Sequence, residues 1–367
     1  MKIKCSKANL LAGINIVLKA VPVKTTMNIL ECILIKAVNG QIKLVSNDME
    51  LGIETVVVGD IAEEGVIAIN AKIFSDMVRK LPDSDVTIET DSSLNTKITC
   101  EKSKFSISAK DGSEFPELPV IEKSKRVTMS EFSLRSIIVQ TVFSISDNEN
   151  NKIMTGELFE IKGSKMRVVA LDGHRIAVRN LELKEDFGNY KVIVPGKALN
   201  EISKILSGEA DDEVNIYFAD KNIMFELEDT IILSRLIEGE YYKIDQMLSS
   251  DFETKITVNK RELFNSIDRA TLLIKESDKK PVVIETADQS LKLKMDTSIG
   301  SLDDEIMIEK EGKDIVIGFN PKFIIEALRV IDDENIDIYL VNSKSPCFIR
   351  DAQQNYIYLI LPVNFVS

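Results

Sequence analysis

The segment IKCSKANLLAGI, Ile3 to Ile14, recurs twice along the chain, as VTMSEFSLRSII from Val127 and as ITVNKRELFNSI from Ile256. Each copy joins an alternation of apolar and polar residues, typical of a strand, to a small polar residue that can cap a following amphipathic helix. The capping positions are Ser6, Ser130 and Asn259. Because self-similarity at a fixed period indicates a repeated folding unit, the sequence predicts one unit repeated three times.

A second segment repeats inside each unit, as VIAINAKIFSDMVRKL from Val66, VIVPGKALNEISKIL from Val192 and VIGFNPKFIIEALRVI from Val316. Its lysines, Lys72, Lys197 and Lys322, are 125 residues apart, so each unit has about 120 residues and two helices. The six predicted helices span residues 7–19, 72–80, 131–140, 197–206, 260–270 and 322–331. The chain between them alternates with period two around short turns, which predicts antiparallel meanders with the helices packed on one face.

The predicted fold class is therefore α+β, with three similar domains of antiparallel sheets and two helices each. The chain has 367 residues, which suits two or three domains, and we expect boundaries at 1–122, 123–250 and 251–367. No apolar run approaches the roughly 18 residues needed to cross a bilayer. The four cysteines are scattered without metal-ligand spacing, as is typical of reduced thiols, so we expect a cytoplasmic protein.

Charge is unevenly distributed along the chain. The formal net charge is -13, which by itself argues against a nucleic acid partner, yet the six predicted helices contain 13 Lys and Arg against 6 Asp and Glu. Lys72, Lys197, Lys260 and Lys322 fall at or near predicted helix N-termini, where a cation opposes the helix dipole. Two interpretations remain open: the lysines were copied with the repeat, or they face a common polyanion.

Catalytic and cofactor signatures are absent from the sequence, including phosphate loops, dinucleotide fingerprints, HExxH and CxxC. His174 is the only histidine, and its position between Asp172 and Arg175 invites a catalytic interpretation. A general base needs a nucleophile or water beside it, which the sequence does not indicate, so a local role in a turn is favoured. We expect no catalytic residue, no cofactor and no metal site.

Three motifs in order then identify a family: LDGHRIAV at Leu171–Val178, SRLIEGEYY at Ser234–Tyr242 and LILPV at Leu359–Val363. Together with the triplicated unit, they resemble the bacterial replicative sliding clamps, the beta subunit of DNA polymerase III. The resemblance extends from Met1 to Ser367.

The resemblance implies the DNA clamp fold, a head-to-tail homodimer that closes a six-domain ring with sheets outside and helices around duplex DNA. Binding would be independent of sequence, because phosphate contacts do not distinguish bases. The implied partners are the polymerase III catalytic subunit, the clamp loader and other replication and repair proteins with clamp-binding peptides. The resemblance implies no association with a membrane. The positions matching the dimer interface are Phe105, Ile107, Leu272 and Leu273, with Lys102 and Lys104 near Asp303 and Asp304 as an ionic rim.

The resemblance also implies two sets of site residues. Lys24, Lys72 and Lys197 match DNA-contacting positions, and Lys152 is a further candidate where the family has an aromatic residue. The positions matching a hydrophobic peptide pocket are Met154, Leu171, Gly173, His174, Arg175, Ile176, Tyr242, Gln246, Met247, Pro346, Leu359, Leu361, Pro362 and Val363. This chain departs from the family pattern at Tyr242, Gln246 and Asn364.

Two other classes of function stay open at this point. One is a tandem-domain enzyme, for example a hydrolase that uses Asp172 and His174. The other is a repeat scaffold that binds proteins only. The clamp hypothesis alone accounts for the repeat, the separated charge and the missing catalytic motifs together.

Overall fold

The computed structural model describes residues 1–124, 126–248, 251–274, 280–351, 353 and 355–365. The helices in this part of the chain are α1 (Lys7–Val17), α2 (Ala71–Lys80), α3 (Glu131–Thr141), α4 (Gly196–Ile205), α5 (Lys260–Thr271) and α6 (Pro321–Val330). They confirm the predicted helices, and their ends differ from the predicted ones by no more than two residues. The three predicted caps are confirmed as well, because Ser6, Ser130 and Asn259 all accept hydrogen bonds from amides of the first helical turn.

The strands fall into three groups that follow the repeats. In the first repeat they are β1 (Lys2–Ser6), β2 (Cys32–Val38), β3 (Gln41–Asn47), β4 (Leu51–Val57), β5 (Asp60–Glu63), β6 (Gly65–Asn70), β7 (Asp85–Thr90), β8 (Asn95–Cys100), β9 (Ser103–Ser108) and β10 (Lys110–Asp111). In the second they are β11 (Arg126–Ser130), β12 (Gly156–Lys162), β13 (Lys165–Leu171), β14 (Arg175–Glu182), β15 (Asn189–Pro195), β16 (Glu213–Phe218), β17 (Asn222–Glu226) and β18 (Thr230–Arg235). In the third they are β19 (Thr254–Asn259), β20 (Val282–Ala287), β21 (Ser290–Asp296), β22 (Ser301–Gly312), β23 (Val316–Phe319), β24 (Asn335–Leu340), β25 (Cys347–Arg350) and β26 (Tyr356–Ile360).

Each repeat pairs its strands in the same antiparallel way. The first strand of a repeat joins three later strands, in the orders β1-β7-β8-β9, β11-β16-β17-β18 and β19-β24-β25-β26. The middle strands form the orders β6-β2-β3-β4, β15-β12-β13-β14 and β23-β20-β21-β22. This pattern confirms the predicted fold class of three similar domains built from antiparallel sheets.

Sheets continue from one repeat into the next. Strand β18 pairs with β4, which gives a nine-stranded sheet, and β26 pairs with β14, within a twelve-stranded sheet. As a result, the chain divides into two compact units, residues 1–134 with 197–236 and residues 135–196 with 237–367. These units cut through the middle repeat, so the domain boundaries expected from the sequence stay predictions.

Alternation along the strands places the apolar side chains inside. In the third repeat, α5 and α6 pack together over a core that includes Leu263, Ile267, Ile324 and Leu328, all nearly or fully buried. The four cysteines are buried as free thiols. Among the described residues, no helix is long and apolar enough to span a membrane.

Candidate peptide pocket and basic surface

The hairpin between β13 and β14 is a turn stabilised by its own side chains. One carboxylate oxygen of Asp172 accepts hydrogen bonds from the backbone amides of His174, at 2.9 Å, and Arg175, at 3.1 Å. Its second oxygen accepts from Nε of Arg175 at 2.9 Å. Gly173 has a φ of 87°, a conformation that favours glycine. Because Asp172 serves the turn, its carboxylate does not orient the His174 imidazole as a catalytic dyad would require.

Arg175 connects this turn to α6. Its side chain is 6 % exposed, and its guanidinium donates to Glu326, to the backbone oxygen of Phe143 at 2.6 Å and to Asp172. The guanidinium carbon also lies 4.3 Å from the centroid of the Phe323 ring, on which His174 stacks. A buried arginine with this many partners holds the hairpin rigidly, since losing one partner would leave a desolvated charge.

A cavity of about 670 Å³ lies beside this hairpin, in the second compact unit. Its lining includes twelve of the fourteen residues expected for the pocket: Met154, Leu171, Gly173, His174, Arg175, Ile176, Tyr242, Gln246, Met247, Pro346, Leu359 and Leu361. Pro362 and Val363 do not belong to the lining that the structure describes. Cavities of this size, mostly apolar with a few polar groups, are typical of ligand sites.

The floor of the cavity is a row of apolar residues across four neighbouring strands. Leu171 lies opposite Ile176, Ile176 opposite Leu359, and Leu359 opposite Phe348. All four side chains are buried in one cluster. The pairing of β14 with β26 places the middle and last repeats side by side, so the floor exists only once the sheet is assembled.

Sequence comparison with the family pattern missed four lining residues, Ile244, Val341, Ser345 and Phe348. Phe348 lies in the short strand CFIR, in which all four residues are buried, and its run of three apolar residues was a signal for a buried strand. Val341 and Ser345 lie outside the regular elements, where no periodic signal exists.

The rim of the cavity consists of exposed apolar side chains. Met247 is 57 % exposed, Tyr242 44 % and Leu361 39 %. The hydroxyl of Tyr242 accepts a hydrogen bond from Nδ2 of Asn151 at 2.8 Å. Large apolar groups concentrated at the mouth of a cavity mark an interaction site, and methionine adapts its shape to different partners.

An ion pair holds the short 3₁₀ helix, residues 245–247, that contributes Gln246 and Met247. Nη1 of Arg167 donates to the carboxylate of Asp245 at 2.7 Å. This hydrogen bond and the charge of Arg167 lower the pKa of Asp245. Since the Asp245 side chain is largely exposed, the pair orients the helix more than it stabilises the fold.

The four candidate DNA-contacting lysines are all exposed. Lys24 lies between α1 and β2, Lys72 in the first turn of α2, Lys152 in a 3₁₀ helix at 152–155, and Lys197 at the start of α4. Nζ of Lys197 lies 2.9 Å from the carboxylate of Asp48, which is mostly buried. A phosphate would therefore compete with Asp48 for Lys197.

The four residues expected at a dimer interface lie on a strand edge and beyond a helix end. Phe105 and Ile107 are half-buried on β9, the edge strand of the five-stranded sheet. Leu272 follows α5 and is 79 % exposed, and Leu273 is partly buried against the core of the third repeat. Asp304, expected at the ionic rim, accepts hydrogen bonds from Ser266 and Arg269 of its own chain. Burial raises the pKa of Asp304, but these hydrogen bonds outweigh it and the net shift is downward.

Comparison with known proteins covers nearly the whole chain. Family models of the DNA polymerase III beta subunit match its N-terminal domain to residues 1–119, its central domain to 128–243 and its C-terminal domain to 245–364. A beta sliding clamp from Staphylococcus epidermidis is 30% identical over 361 residues, covering 95% of this chain and 96% of the relative.

Solved structures give the same result. A putative DNA polymerase III beta subunit from Eubacterium rectale is 60% identical with a TM-score of 0.96, and a DNA polymerase sliding clamp from Bacillus subtilis is 31% identical with a TM-score of 0.95. Each comparison covers 100% of both chains. With three family matches in order and relatives aligned along the full length, the chain belongs to the DNA polymerase III beta subunit family, the bacterial sliding clamps, which are non-catalytic processivity factors of replication.

Proposed function

We propose that two copies of this chain close head to tail around duplex DNA and slide along it, while the cavity beside the β13–β14 hairpin binds short apolar peptides of polymerase, clamp loader and repair proteins. The observation that supports the peptide role most is the row Leu171, Ile176, Leu359 and Phe348 under an exposed rim of Met247, Tyr242 and Leu361. We infer that the protein carries out this function in the cytoplasm.

Several features support a protein that encircles DNA rather than one that binds tightly in a groove of the duplex. The chain is acidic overall, while exposed lysines recur at matching helix positions of the three repeats. A negative exterior discourages binding of DNA elsewhere, and a few phosphate contacts suffice for a tether held by topology. Lys24, Lys72, Lys152 and Lys197 are the residues we assign to these contacts.

Retention on DNA of different topology tests the sliding function. The loaded protein should co-elute with closed circular plasmid and leave it after the plasmid is cut once, because a ring slides off a free end. Equal release from circular and linear DNA, or equal retention on both, would contradict encirclement.

Binding of a labelled peptide with one leucine and one phenylalanine anchor tests the cavity. Burying such an anchor is worth about 1.5 to 3 kcal/mol, so Met247→Ala or Leu361→Ala should weaken binding about tenfold. Met27→Ala is the control, since this methionine is exposed but does not line the cavity. Unchanged affinity in both cavity variants would place the peptide site elsewhere.

A further inference from the structure

The segment after β26, Leu361–Phe365, is joined to two different parts of the second compact unit, and we call it the closing segment. The backbone amide of Leu361 donates to the oxygen of His174 at 2.9 Å, in the hairpin that lines the cavity. The amide of Val363 donates to the oxygen of Gly318 at 2.8 Å. The closing segment therefore runs from the cavity wall to β23, an edge strand of the twelve-stranded sheet.

At its far end, the closing segment packs against a position without a side chain. A Cβ atom at Gly318 would lie 2.7 Å from Cδ1 of Phe365 and 2.9 Å from the backbone oxygen of Val363. Real Cβ atoms do not approach neighbours at 2.7 Å. The half-buried Phe365 ring thus lies on the backbone of Gly318, and any larger residue there would displace the ring.

We infer that Phe365 is a positioning residue for the peptide pocket: by packing on Gly318, it anchors the closing segment and holds Leu361 in the cavity wall. Phe365 does not line the cavity itself, so it acts through the segment that it anchors. The inference rests on the proposed peptide-binding function of this cavity.

The physical reason is conformational entropy. Fixing the backbone of one residue costs about 1 to 2 kcal/mol, and an anchored segment meets this cost during folding. Without the anchor, the residues around Leu361 would be ordered only when a peptide binds, and that cost would reduce the affinity. Only the backbone hydrogen bonds from Leu361 to His174 and from Val363 to Gly318 would then hold the segment.

Affinity for the labelled peptide is the first measurement. Phe365→Ala should weaken binding about three- to tenfold with an unchanged thermal midpoint, while Phe365→Leu, which keeps an apolar anchor, should restore most of the affinity. Gly318→Ala should weaken binding similarly, although every cavity residue is intact. In the double variant the loss should be smaller than the product of the single losses, since both changes remove the packing of Phe365 on Gly318; the contact of the added methyl group with the backbone oxygen of Val363 remains.

Hydrogen exchange of single amides is the second measurement, and it does not depend on peptide. In Phe365→Ala the amides of Val363 and Leu361 should exchange faster than in the parent, while the amide of Ile360, inside β26, should not change. Parent-like affinity in Phe365→Ala, or parent-like exchange at Val363, would overturn the inference. A parent protein that binds no peptide would instead overturn the proposed pocket, and exchange would still report whether Phe365 anchors the segment.

Discussion

At the scale of single residues, Glu157 shows how burial favours the neutral form of a carboxyl group. Its side chain is fully buried on β12, and its Oε1 lies 3.0 Å from Oγ1 of Thr141. The same hydroxyl lies 2.7 Å from the backbone oxygen of Ile137, which can only accept. Thr141 donates to Oε1 of Glu157 but shares its one proton with the oxygen of Ile137, and Oε2 of Glu157 is buried without a hydrogen-bond partner among the described residues. Burial raises the pKa of Glu157 well above its ordinary value, against a smaller opposing effect of Thr141.

We expect Glu157→Gln to reduce the loss of stability as pH rises. The unfolded carboxyl ionises near pH 4.3, about its ordinary pKa, whereas burial raises the pKa of the folded one well above that value. Between these two pKa values the unfolded state binds fewer protons, so the parent loses up to about 1.4 kcal/mol of unfolding free energy per pH unit from this group. Glutamine does not titrate, and its amide oxygen can still accept the hydrogen bond from Thr141. Thermal midpoints from pH 5 to 8 measure the slope, with Glu160→Gln on the same strand as control. Parallel pH profiles for parent and Glu157→Gln would show that Glu157 is ionised.

The basic residues are tested by charge reversal. Changing Lys24, Lys72 and Lys197 to Glu should weaken DNA association, and the difference from the parent should shrink as salt rises, because each lost phosphate contact removes counterion release. Fold and dimer should be unchanged, since exposed lysines contribute little to stability. The control reverses the same number of charges at the exposed Lys97, Lys165 and Lys221. Equal weakening by both triple variants would mean that only net charge matters.

At the scale of elements, helix caps explain why the repeated segments start their helices at matching positions. Oδ1 of Asn259 accepts from the amides of Arg261, at 3.0 Å, and Glu262, at 3.1 Å, and Asn70 accepts from Ile73 at 3.1 Å. These bonds satisfy donors that have no partner within the helix. They also offset the unfavourable placement of lysines in the first turns.

Asn259→Ala should lower the unfolding free energy of the third repeat by about 1 kcal/mol, since it removes two capping hydrogen bonds at once. Asn259→Asp, which keeps the accepting oxygen, should restore most of this stability. Urea denaturation measures the difference. If Asn259→Ala and Asn259→Asp both had the urea midpoint of the parent, the cap would not stabilise α5.

At the scale of the whole molecule, strand pairing joins successive repeats into continuous sheets. Each sheet still ends in an edge strand that can pair with another chain. Strands β18 and β4, and β14 and β26, pair across repeat boundaries. Strand β9 ends the five-stranded sheet, with the apolar Phe105 and Ile107 on one of its faces. An edge of this kind invites pairing with another chain, which the proposed head-to-tail dimer would provide.

We expect a dimer of about 82 kDa, twice the chain mass of 41.1 kDa, and a monomer when Ile107 is changed to Arg. A buried arginine without a partner costs more than an interface of this kind can compensate. Val120→Arg is the control, because Val120 is 98 % exposed outside the strands. Light scattering at micromolar concentration measures the mass. A monomeric parent, or a dimeric Ile107→Arg, would contradict this arrangement.

The sequence predicted the local structure well because local signals decide it. Caps at Ser6, Ser130 and Asn259 and apolar residues at helical spacing placed all six helices, and period-two alternation indicated the hairpins. Twelve of the fourteen pocket residues came together as the family resemblance implied. Whether the cavity binds peptides, whether the lysines contact DNA and whether the dimer forms stay predictions.

By itself, then, the sequence determined the repeat, the helices, the meanders and the family, since each depends on spacing within short segments or on motifs in order. Only the tertiary structure decided the continuity of sheets across repeats, the row that brings Phe348 to Leu171, the pairing of Lys197 with Asp48 and the packing of Phe365 on Gly318. These contacts join residues far apart in sequence, and pattern along the chain does not specify which distant surfaces meet. The packing of the assembled sheets decides which of these surfaces meet.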